Sequence, residues 1–100
     1  MSYEQMDIIN GILDYMEKVG GDRKSWYVGI AKDAPTRLFD DHRVREYNDH
    51  WIYFKADSSQ AARNVESFFV KILKTDGGLG GGDIYSDMVY AYKKGYHTIP

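Results

Sequence analysis

Three short runs, residues 26–31 (WYVGIA), 51–56 (WIYFKA) and 88–93 (MVYAYK), constrain this 100-residue chain more than any other feature. Each is rich in aromatic and β-branched residues and is bounded by turn-forming or polar stretches, so all three read as strands. In the first, Trp26, Val28 and Ile30 point one way, and Tyr27, Gly29 and Ala31 the other. Both sets are largely apolar, which predicts a strand covered on both faces. In the second run, Trp51 and Tyr53 oppose Ile52 and Phe54.

Helical periods separate the runs. Ile8, Ile9, Ile12, Leu13, Met16 and Val19 fall at helical spacing and predict an amphipathic helix over 4–19, ended by Gly20 and Gly21. Asp33 as N-cap and Pro35 in the first turn start a second helix, running to about His42 or Arg45. Asp57, Ser58, Ser59 and Gln60 have the spacing of a capping box and open a third helix, to about Lys74. A glycine-rich loop over 76–83 leads to the last strand, and the tail after Gly95 is expected to be loose. This alternation predicts a single α/β or α+β domain over 1–100, a small three-stranded sheet flanked by helices.

Composition narrows the function. Hydrophobic residues make up 43% of the chain, enough for one core. With no cysteine, disulfides and thiolate metal sites are excluded, and a reducing cytoplasm fits. The N-terminus has no basic segment followed by an apolar run, so no signal peptide is expected. No apolar stretch approaches the ~20 residues of a membrane-spanning helix. A net charge of -2 and a pI of about 5.8 leave a local basic patch as the route to nucleic acid. The glycine-rich loop lacks Gly-Lys-Ser/Thr and follows a helix, the reverse of a phosphate-binding loop. His42, His50 and His97 lack the spacing of a zinc site.

Four residues stand out chemically. On a wheel at ~100° per residue, Glu66 falls inside the edge of the apolar arc of its helix, between Ala62 and Val70. A carboxylate there snorkels to water, pairs with Arg63 or Lys71, or binds a metal. Arg37 and His42 can face one cleft, where an arginine fork suits a phosphate and a histidine a proton. Arg37 with Asp41 is equally an ordinary i,i+4 pair, and Asp40 or Asp41 could hold His42. Tyr27 lies on the Gly29 face, where the missing side chain admits a substrate or another element, or it is a core aromatic.

Taken in order, Tyr27-Val28-Gly29, Arg37, His42 and then Glu66 in AARNVESFFVKIL resemble the GIY-YIG nuclease family over residues 26–76. Tyr27-Val28-Gly29 is similar to the family's second signature. The helix over 4–19 lies outside the family core, the first signature is not evident, and Asp76 or Asp83 stands near the place of its late asparagine. The resemblance implies hydrolysis of DNA phosphodiesters, with Glu66 holding one Mg²⁺ or Mn²⁺. It implies that Tyr27 activates or positions the attacking water, that Arg37 neutralises charge and that His42 assists. Lys32, Arg43 and Arg45 are the expected nucleic-acid contacts. The missing first signature motivates a second expectation, a scaffold that binds nucleic acid or protein without cutting.

Overall fold

In the computed structural model, which describes residues 1–78 and 83–100, each apolar period is closed by a local device. Helix α1 (Gln5–Val19) buries Ile8, Ile9, Ile12 and Met16. It stops where Gly20 and Gly21 both take φ of 95°, a left-handed conformation that glycine adopts at little cost. A short 3₁₀ turn, Arg23–Ser25, follows, with the Asp22 side chain accepting from the Ser25 amide. Strand β1 (Trp26–Ala31) is buried at every position, as two apolar faces require.

The Asp33 side chain accepts from the Thr36 amide at 3.2 Å, so the expected N-cap forms. The segment it opens, Thr36–Asp41, is π-helical and closes at the His42 C-cap, the nearer of the two expected ends. The His42 N–H donates to the Arg37 carbonyl. Arg43 then turns left-handed (φ 63°), and the Val44 N–H returns to Leu38. Strand β2 is Trp51–Lys55.

Helix α2 (Ser59–Ser67) is capped by Ser58, which accepts from Ala61, and not by Asp57. The cap lies one residue later than the capping-box spacing placed it, because the Asp57 side chain accepts from the Ser2 hydroxyl. A second π-helical segment, Phe68–Ile72, continues the helix until Lys74 (φ 65°) ends it. Residues 79–82 of the glycine-rich loop lie outside the described residues.

Strand β3 (Met88–Lys93) pairs antiparallel with both other strands, giving the order β1-β3-β2. The fold class is therefore α+β. The last strand in sequence is the centre of the sheet, so its residues meet side chains from both neighbours. Tyr92 lies opposite Tyr27 and Trp51, and Tyr90 opposite Gly29 and Tyr53. The outer edge of β1 is closed by Asp76, whose main chain bonds to Trp26 and Val28.

Strand parity sorts the interior into two clusters. Trp26, Val28, Ile30, Val89 and Ala91 pack with the apolar stripes of α1 and α2, including Ile12, Val65 and Phe69. Tyr27, Ala31, Tyr90 and Tyr92 pack on the opposite face with Ala34, Leu38 and Val44. Full burial of a Phe69 or an Ile12 contributes roughly 1.5–3 kcal/mol each. Among the described residues, no helix is long and apolar enough to cross a membrane.

Candidate active site

The second cluster holds the candidate chemistry because two strands deliver tyrosines to one face. Tyr27 on β1 and Tyr90 and Tyr92 on β3 stack, with ring centroids 6.2 Å and 5.3 Å from Tyr27. Gly29 makes room for Tyr90: a Cβ there would lie 2.5 Å from the Tyr90 hydroxyl oxygen. The π-helical turn after β1 then brings His42 to 4.6 Å from the Tyr27 ring. The wide turn bears on this placement, since the main-chain bond from His42 back to Arg37 sets both residues at the end of one segment.

His42 is 5% exposed and has its ring nitrogens occupied. Nδ1 lies 2.6 Å from the Ile99 carbonyl, and Nε2 lies 2.7 Å from the Tyr90 hydroxyl. A carbonyl only accepts, so Nδ1 carries the proton and Nε2 accepts from Tyr90. The Tyr92 hydroxyl lies 3.1 Å from Nδ1. Burial holds the imidazole below its ordinary pKa, against the raising effect of the Ile99 carbonyl, and the nearby Arg37 charge lowers it further. His42 is thus neutral at pH 7 and is a standing acceptor for the Tyr90 proton. Neither Asp40 nor Asp41 holds it.

The C-terminal tail is not loose. The Ile99 N–H donates to the His42 carbonyl at 2.8 Å, Thr98 caps Gly95, and His97 Nε2 lies 2.6 Å from Asp49 Oδ2. Burial raises the Asp49 carboxyl, but the bonds from His97 and the Arg45 amide outweigh it and hold the group low. The tail was misread because its anchors are almost fifty residues or more distant, and polarity near a terminus carries no sign of them.

Glu66 is 3% exposed and makes no hydrogen bond or ion pair among the described residues. Neither Arg63 nor Lys71 pairs with it. Burial raises its carboxyl from 4.5 to about 7, with the Arg63 charge pulling the other way. Its charge also reaches the tyrosines, adding to burial in raising both Tyr27 and Tyr90 above the ordinary phenol range. Tyr92 is raised as well, first by burial.

Arg37 joins the same field, since its charge favours ionisation of Tyr27 and Tyr90 and opposes that of His42. Its Nε lies 3.2 Å from Asp41 Oδ2, the i,i+4 pair open from sequence. The buried N–H has no hydrogen-bond partner, so this is a contact of charges and not an aligned bond. Arg37 also lines a hollow of about 250 Å³ with Lys32, Asp33, Thr36, Asp83 and Ser86. Lys32 extends over the Tyr85 ring, 5.9 Å from its centroid. Arg43 and Arg45 are exposed on the polar connection before β2.

The structure thus sets Tyr27 and His42 in ring contact, with the charges of Arg37 and Glu66 both felt at Tyr27. Sequence reasoning missed Tyr90 and Tyr92. Their alternation placed them on one face of a strand, but only the insertion of β3 between β1 and β2 set that face against Tyr27. Comparison with protein-family models, with curated proteins and with solved structures finds no match to this chain.

Proposed function

We propose that this protein is a metal-dependent nuclease that hydrolyses DNA phosphodiester bonds, built in the manner of the GIY-YIG family. The observation that carries the reading is Glu66, a buried carboxylate that pairs with no protein group among the described residues and lies within electrostatic range of Tyr27 and Tyr90. A buried carboxylate without a protein partner costs stability, and a cation reduces that cost. Glu66 would hold a single Mg²⁺ or Mn²⁺, ions that accept one or two carboxylates and keep water in their remaining positions. Bound there, the metal supplies positive charge to a phosphate oxygen.

The chain's own groups account for the proton and the remaining charge. Tyr90 already donates to His42 Nε2, so it can accept a proton from water as its own passes to the imidazole. The freed hydroxide attacks phosphorus, and the bond to the leaving oxygen breaks as that oxygen takes a proton from solvent water. The resulting imidazolium keeps its Nδ1 bond to the Ile99 carbonyl. Arg37 offsets the charge that grows on the phosphate oxygens. Tyr27 was expected to activate or position the attacking water; His42 Nε2 is taken by Tyr90, so Tyr27 serves to orient water and substrate. In this reading Tyr90, on the last strand, takes the role of the second tyrosine whose signature is not evident in the sequence.

Nicking of supercoiled plasmid in Mg²⁺ or Mn²⁺ tests the proposal. Wild-type protein should cut, and Glu66→Gln and Arg37→Ala should each lose at least a hundredfold in rate while keeping their circular dichroism. Folded protein that cuts no DNA with either metal would rule the reading out.

A further inference from the structure

We propose that a DNA backbone is anchored in a basic hollow at the start of β1, formed by Lys24, Lys74 and Lys94. The proposal rests on the nuclease reading for its choice of ligand. The hollow measures about 250 Å³ and is completed by Thr75 and Asp76. Three lysines line it with one carboxylate, Asp76, which Lys94 holds at 3.1 Å. In a chain of net charge -2 this is a local excess of positive charge of the kind that phosphate binding needs. Thr75 is 5% exposed, and its hydroxyl has no hydrogen-bond partner among the described residues.

The position in the fold ties the hollow to the tyrosine cluster. Asp76 is the residue whose main chain closes the edge of β1 against Trp26 and Val28, on either side of Tyr27. The hollow lined by Lys32 and Arg37 adjoins the other end of the same strand, at Ala31. Between them β1 extends about 17 Å at the usual rise per residue. At ~3.4 Å of helix axis per phosphate in one strand of a duplex, that distance spans about five phosphates. A strand held at both hollows runs the length of β1, with Tyr27 nearest the lysine end. The anchor thus lies at Lys24, Lys74 and Lys94, and not at Arg43 and Arg45.

Fluorescence anisotropy on a labelled 20-base-pair duplex without divalent metal, at several salt concentrations, tests this. The paired variant Lys24→Glu/Lys74→Glu, both at exposed positions, should weaken binding at least tenfold at low salt. The slope of log affinity against log salt should fall by about two, one for each lost phosphate contact. Arg43→Glu/Arg45→Glu should change affinity by less than threefold. A lysine pair variant that binds and cuts like wild type overturns the anchor and leaves the nuclease reading intact. Lysine-dependent binding by a protein that never cuts overturns the nuclease reading and keeps the anchor. Wild-type protein that binds no duplex at low salt removes both.

Discussion

The two faces of the sheet bury similar lengths of the same strands and treat polarity in opposite ways. Against α1 and α2, Val28, Ile30, Val89 and Ala91 meet side chains that are almost entirely hydrocarbon. On the other face Tyr90, Tyr92 and His42 are just as buried, yet each carries a polar atom held by a named partner. The first face is stabilised by volume and the second by alignment. Glu66 fits neither scheme. It belongs to the helix that covers the apolar face, is felt electrostatically by the tyrosines of the other, and has a partner on neither. Buried carboxylates are normally paired, so one that pairs with no group among the described residues is the candidate place for a ligand.

Mutations can break or sharpen that contrast. The largest effect belongs to the apolar face: Phe69→Ala, at a fully buried position, should cost about 3–5 kcal/mol in chemical denaturation. A loss under about 1 kcal/mol would show that this face does not depend on packed volume.

Glu66→Gln should act in the opposite direction. Its folded carboxyl is raised from 4.5 to about 7, so between those values the folded state takes up a proton that the unfolded state releases. Wild-type stability is therefore lost as pH rises through this window. The glutamine variant should be more stable at pH 8 by up to roughly 3 kcal/mol. The difference should shrink below pH 7 and vanish near pH 4.5. Equal stability at pH 8 would mean that the carboxylate has found a partner in solution. Millimolar Mg²⁺ should raise the melting temperature of wild type and leave that of the variant unchanged.

On the tyrosine face, Gly29→Val drives a side chain into the space of the Tyr90 hydroxyl and should cost about 1–3 kcal/mol. It should also move the His42 ring resonances, and unchanged resonances would separate Tyr90 from His42. The smallest effect is expected from Tyr90→Phe, about 1–2 kcal/mol, because it leaves only Nε2 of His42 without its donor. Plasmid nicking by this variant should nevertheless fall far more than its stability does. A parallel fall in both would assign Tyr90 to packing alone.

Much of the fold was legible in particular residues. The alternation in WYVGIA carried through to a strand buried at all six positions, and Gly20 and Gly21 ended α1 where expected. Asp33 capped its helix. Errors came where two local signals competed. Asp57 and Ser58 both suit an N-cap, and the distant Ser2 hydroxyl engages Asp57. The helix after Asp33 took the nearer of its two expected ends, at His42, because Arg43 adopts a left-handed conformation that its sequence does not announce.

What the sequence determined by itself was local: strand parity, helix starts and stops, the types of residue able to do chemistry and the misfit of Glu66 on its apolar arc. These follow from backbone geometry and a two- or 3.6-residue period, which act over a few positions. Tertiary structure alone decided that β3 lies between β1 and β2, that Tyr90 donates to His42, that Ile99 fixes the tautomer of that histidine and that nothing in the described chain pairs Glu66. The two contacts to His42 join residues 48 and 57 positions apart. Contacts of that span arise from the packing of whole elements, for which no short stretch of sequence carries a signal.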